Sequence, residues 1–141
     1  MNPTSSLVVE REPAGLDQPT DQQAMWLQMC EKARAHSLAE PVLARQLHTF
    51  ILQHASLGNA LAWYLGHKLA TPEVNDRNLF DVIVECMEES PGILRSTLLD
   101  IRAALERNPA AYDVLNVFLN QKGFQALQAY RIGHHRKSKK R

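Results

Sequence analysis

Residues 122–141 read KGFQALQAYRIGHHRKSKKR, and the fold turns on how that stretch is read. From Lys122 to Gly133 it has the character of a packed helix, with Phe124, Leu127, Tyr130 and Arg131 at helical spacing. Within two further residues it becomes almost purely basic: Arg136, Lys137, Lys139, Lys140 and Arg141. A helix that should lead somewhere gives way to charge.

Working back toward the N-terminus, the same period of three to four recurs in every apolar stretch. Tyr112 to Leu119 is a short segment, set off by Asn108-Pro109, because proline pushes the preceding residue out of helical geometry. Before it, Leu94, Leu98, Ile101 and Leu105 mark a helix restarted at Ser90-Pro91. Asn75 is placed to cap a helix with Leu79, Val82, Ile83, Cys86 and Met87 inward. Ser56 is placed to cap another, striped by Leu57, Leu61, Tyr64, Leu65 and Leu69, and Thr71-Pro72 ends it. Pro41 suits the first turn of a helix with Val42, Leu43, Leu47, Phe50, Ile51 and His54 along one face. The first helix opens on Thr20 and Gln23, a capping-box pair, and continues through Met25, Trp26, Met29, Ala33 and His36. Residues 1–19 hold three prolines and few apolar side chains, the pattern of a disordered leader. The expected architecture is all-α: an irregular array of about six to seven short helices over residues 20–134, with a basic tail at 135–141. No internal repeat is visible.

Composition narrows the function. At 141 residues the chain makes one domain with a real core. Its 16 basic and 15 acidic residues give a net charge of +1, and the five basic residues of the tail leave the remainder at −4. A mildly acidic body argues against a nucleic-acid-binding fold. The tail has three readings: a phosphate or anionic-membrane contact, a solvated end, or sequence under no functional demand. The last two are favoured, since no aromatic residue is interleaved for base stacking. Two cysteines, Cys30 and Cys86, lie in apolar helical patterns and read as reduced core thiols. No signal-peptide pattern and no apolar run near ~20 residues is present, so a soluble cytoplasmic protein is expected.

The residue types for chemistry are present without the spacing. His48 and His54 are six apart and do not share a helix face, and His134 and His135 are adjacent. No metal site is expected. No serine sits in a glycine-rich elbow, and the six glycines are too scattered for a phosphate loop. No catalytic residue is assigned.

Three stretches, LGNALAWYLGHKLATPE, LLDIRAALERNPAAYD and above all KGFQALQAYRIGH, resemble the N-terminal helical region of serine O-acetyltransferases. The resemblance runs over roughly residues 22–134. It is most specific at Lys122, Gly123, Phe124, Ala126, Leu127, Gln128, Tyr130, Arg131, Ile132 and His134. It implies a helical bundle that joins trimers and leads into a left-handed β-helix, where acetyl-CoA binds and a histidine acts as general base on serine. No six-residue repeat of that kind occurs in these 141 residues. The resemblance therefore implies a helical oligomerisation domain for cysteine biosynthesis that binds no cofactor and is inactive alone. Its partners would be copies of itself or a full-length serine acetyltransferase. A runner-up reading is a small phosphate- or nucleic-acid-contacting protein acting through the tail.

One family substrate contact belongs to the helical part: an aspartate before proline in RDPA, which reaches serine. Here the segment reads RNPA, so Asn108 and Pro109 hold the matching positions. An amide supplies no charge for the serine ammonium. Hydrogen bonds to charged groups contribute ~1.5–3 kcal/mol against ~1 for neutral ones, enough to weaken binding tenfold or more. Asn before Pro is also plain turn chemistry, and that is the favoured reading.

Overall fold

A computed structural model describes residues 19–108 and 113–139. Among them are seven α-helices and no strand, as the periodicity predicts. They are α1 (Pro19–Ala39), α2 (Ala44–Leu47), α3 (Leu57–Leu69), α4 (Asp76–Glu89), α5 (Gly92–Arg107), α6 (Val114–Asn120) and α7 (Lys122–Lys139). A 3₁₀ turn, Pro41–Leu43, precedes α2, and a π turn, His48–Leu52, follows it.

The caps explain most of the boundaries. Ser56, Asn75 and Asp113 each accept a hydrogen bond from the backbone N–H three residues on, which satisfies a donor that the first turn leaves orphaned. Helix α5 departs from this pattern. Its N-cap is Pro91, with no side-chain cap, and Ser90 takes part only through its carbonyl, which accepts from Ile93 N. Helix α1 is already formed at Pro19, so Thr20 lies inside it and is not its cap.

The core is built from Met29, Ile51, Leu61, Leu65, Ile83, Leu98, Ile101 and Phe118, all at 2% exposure or less. Helices α3 and α4 form the most intimate pair. Gly66 lets their backbones approach: a Cβ at that position would sit 3.1 Å from the Asp76 carbonyl oxygen and 3.3 Å from Phe80 N.

Three expectations are corrected. The helix predicted from Pro41 is divided into 3₁₀, α and π turns, so a single face is not continued. Val42 stands 84% exposed and Leu43 is exposed, while Leu47 and Ile51 face inward. His54 falls beyond the π turn. Leu69 is exposed at the last turn of α3. At the other end, α7 does not stop at 134. It continues through Lys139, across the first residues of the stretch expected to be a basic tail. The first residues of that stretch lie against α4: His135 Nε2 is 3.0 Å from Glu89 Oε1, and Arg136 Nη1 is 3.7 Å from Glu85 Oε1. Residues 1–18, including the predicted leader, lie outside the described residues.

Candidate functional site

Helix α7 carries most of the residues singled out by sequence, and its seam against α3, α4 and α5 is largely polar. At its start, the Tyr64 hydroxyl donates to the Leu119 carbonyl at 2.7 Å. The Gln125 amide donates to that hydroxyl at 2.7 Å and to the same carbonyl at 2.9 Å. This closes the α6–α7 corner onto α3. Burial pushes the Tyr64 hydroxyl above its ordinary titration range, while the Gln125 bond pulls the other way.

At mid-helix the seam holds a closed network. Gln128, only 1% exposed, donates through Nε2 to Asp100 Oδ2 at 2.7 Å. Its Oε1 accepts from Arg131 Nη1 at 3.0 Å and lies 2.8 Å from the Thr97 hydroxyl. That hydroxyl is also 3.0 Å from the Ile93 carbonyl, so its one proton serves either acceptor. Arg131 returns to Asp100 with both terminal nitrogens, a fork on a carboxylate. Among the described residues, no buried side-chain N or O of this layer lacks a hydrogen-bond partner.

The family-motif residues therefore separate into two groups. Phe124 and Ile132 are buried, and Arg131 is half-buried in the network. Lys122, Gly123, Leu127, Tyr130 and His134 are exposed, with the Tyr130 and His134 rings stacked at 5.8 Å. Asn108 is not brought to this group. It is the exposed C-cap of α5, its N–H donating to the Ala104 carbonyl at 3.3 Å. It lies eight residues beyond Asp100, or about 12 Å along the helix axis. Pro109 lies outside the described residues.

One arrangement escaped sequence reading. His36 Nε2 and Asp113 Oδ2 stand 3.6 Å apart in the wall of a 320 Å³ groove that Gln46, Asn116, Leu43 and Leu119 also line. The other Asp113 oxygen is committed to capping α6, accepting from Asn116 N at 2.8 Å. Both side chains are well exposed, at 47% and 32%. A second open groove of 290 Å³ runs along α7, past Tyr130, Arg131, His134 and His135, against Ser90 and Ser96.

His54, Cys30 and Cys86 sit within the packing. His54 Nε2 donates to the Thr49 carbonyl at 3.1 Å, and Nδ1 accepts from the Asn59 amide at 2.8 Å, the tautomer these two partners require. Burial holds this imidazole below its ordinary range; the Thr49 carbonyl opposes that shift and nearby His48 adds to it. Cys30 and Cys86 are both buried, and burial pushes the Cys30 thiol up despite nearby Arg34. Among the described residues, no group of three or more His, Cys, Asp or Glu is placed to hold a metal ion.

A small all-helical domain whose last helix is tied down by a polar seam is the class this geometry defines. Residues 25–129 match the family described as serine acetyltransferase, N-terminal. The chain belongs to that family. It is 39% identical over 114 residues to serine acetyltransferase 1, chloroplastic, of Arabidopsis thaliana, covering 81% of this chain and 36% of that protein. It is 41% identical over 105 residues to the serine acetyltransferase of Escherichia coli K12, covering 73% and 38%. Among solved structures it is similar to a serine acetyltransferase in complex with CoA, at TM-score 0.81 and 34% identity over 85% of this chain and 51% of that one. It is also similar to soybean serine acetyltransferase complexed with serine, at TM-score 0.77 and 36% identity, covering 83% and 48%. The chain thus spans between a third and two fifths of these curated relatives.

Proposed function

We propose that this chain is a helical assembly unit of the serine acetyltransferase system of cysteine biosynthesis, acting in the cytoplasm and supplying packing surface rather than the acetyl-transfer groups. The observation that carries this reading is where apolar side chains are left uncovered. Leu38 and Val42 are each 84% exposed at the corner between α1 and α2, beside Leu43. Leu127 and Tyr130 are exposed on α7. Isolated exposed leucines are ordinary, but a cluster at one corner together with a helix face fits a surface that meets another protein. The partner is a second copy of the chain or a full-length serine acetyltransferase. Asn108 serves as the turn that ends α5, and any contact with serine belongs to an assembly. Light scattering of the pure chain, with and without a full-length serine acetyltransferase, tests the proposal. Self-association or co-elution supports it; a monomer that ignores the enzyme removes it.

The His36–Asp113 pair favours a second reading, because a histidine beside an acid is the kind of group that activates a hydroxyl. Two features weigh against it. The groove is at the lower end of small-molecule site volumes. It is also open to water, which weakens any electrostatic assistance. Acetyl transfer from acetyl-CoA to serine by the pure chain, abolished by His36→Ala, would establish this reading. No turnover is expected.

A further inference from the structure

The groove between the α1–α2 corner and α6 joins a charged pair to an apolar side. At 3.6 Å, His36 Nε2 and Asp113 Oδ2 are too far apart to be hydrogen-bonded to each other. Asp113 commits only Oδ1, which accepts from Asn116 N. Among the described residues, neither Asp113 Oδ2 nor His36 Nε2 has a hydrogen-bond partner, so each has a bond to offer to a third party. Three amides, Gln46, Asn116 and Asn120, line the same groove, and each brings an N–H donor and a carbonyl acceptor. The apolar side is Leu47 and Leu115, both buried, with Leu43 and Leu119.

We infer that this groove binds a small zwitterion with a branched aliphatic tail, an amino acid of the leucine type. Charge complementarity decides the class. The ligand ammonium meets Asp113 Oδ2, and its carboxylate meets the His36 ring N–H and the amide donors. Both groups of an α-amino acid sit on one carbon, which matches an acid and an imidazole held side by side. The tail lies on the leucines, where removal of apolar surface from water favours binding. The end of α6 is not an anion site, because the Asp113 carboxylate already caps it. A volume of 320 Å³ is at the lower end for ligand sites and suits an amino acid better than a nucleotide. Water competes for both exposed charged groups, so the expected dissociation constant is on the order of 1 mM. Binding of this kind requires no proton transfer and holds whether or not the chain assembles.

The side-chain amide signals of Gln46, Asn116 and Asn120 in nitrogen–proton NMR spectra report occupancy, with L-leucine as the probe. Saturable shifts of all three are expected on the wild-type chain. Two fragments of leucine divide the site: isopentylamine lacks the carboxylate and isocaproate lacks the ammonium. Isopentylamine should keep part of the effect and isocaproate almost none, because Asp113 repels it. L-serine, which has no tail for the leucines, should bind at least about fivefold more weakly than leucine. Asp113→Asn removes the charge and keeps the cap, since Asn caps a helix as well as Asp. Leucine affinity should fall about tenfold in that variant. Absence of saturable shifts, unchanged affinity in Asp113→Asn, or isocaproate or serine binding as well as leucine would each overturn the inference. So would groove signals that move with protein concentration and not with leucine, which would make a second copy the occupant.

Discussion

Two glycines on α3 should respond to alanine with opposite signs. In a helix interior Gly→Ala is intrinsically favourable by about 0.8–1 kcal/mol. At Gly58 nothing opposes this gain. The new Cβ would lie 3.7 Å from Leu94 Cδ2 and 3.8 Å from Met87 Cε, ordinary contact with flexible side chains. Because Gly58 is only the second residue of α3, the expected gain is about half the interior value, ~0.5 kcal/mol. At Gly66 the Cβ would lie 3.1 Å from the Asp76 carbonyl oxygen and 3.3 Å from Phe80 N. Both are backbone atoms of α4, and they retreat only if the helix moves as a body. Overpacking of this kind costs ~1–3 kcal/mol. After subtracting the intrinsic gain, Gly66→Ala should destabilise by ~1 kcal/mol, a fall in Tm of about 3–5 °C for a domain of this size. Urea unfolding of the two variants beside wild type measures both shifts. If Gly66→Ala is as stabilising as Gly58→Ala, the α3–α4 approach is not as close as described, and the packing argument fails.

Other tests follow from single residues. Neutral His54 bridges Thr49 and Asn59, and its folded-state pKa lies below the unfolded value of about 6.5. Its stabilisation is therefore full above that value and is lost as pH falls through the lower folded-state value. The urea midpoint of wild type should drop more between pH 7.5 and 5 than that of His54→Gln; equal slopes would refute the assignment. Phe118→Ala empties a fully buried site between the Tyr64 and Phe124 rings and should cost ~3–5 kcal/mol in chemical unfolding; a loss under 1 kcal/mol would contradict the described core. Because the stretch from Arg136 onward begins as helix and Arg136 already faces Glu85, nucleic-acid affinity should be absent in a filter-binding assay. Binding that falls steeply with salt and vanishes on deleting 136–141 would revive the phosphate-contact reading.

How much of this was legible in the sequence follows from the range of the interactions. Helices governed by local chemistry were readable: Ser56, Asn75 and the break at Asn108-Pro109 act within four residues and fall where expected. The stripes of α3 and α4 also point largely inward, Leu69 excepted, because one apolar face and one cap agree there. The segment after Pro41 was misread because periodicity assumes one helical pitch, whereas the chain takes three pitches in twelve residues. The facing of helix α7 was not readable locally. Of the residues at helical spacing there, Phe124 is buried while Leu127 and Tyr130 are exposed, and the seam is held by Gln128 and Arg131, whose partners Thr97 and Asp100 lie about thirty residues away. The residues beyond 134 meet Glu89 and Glu85 of α4, about fifty positions away in sequence. Nor does any local signal pair His36 with Asp113, 77 positions apart. The family motif marked the right helix without revealing which of its residues are buried.

The assembly proposal is tested most directly by multi-angle light scattering of the pure 15.9 kDa chain across a dilution series reaching high micromolar concentration. The same sample is then mixed with a full-length serine acetyltransferase. A mass above that of one chain, rising with concentration, or a joint peak with the enzyme is the expected result. A mass of one chain at every concentration, with no shift in the enzyme's own peak, would contradict it.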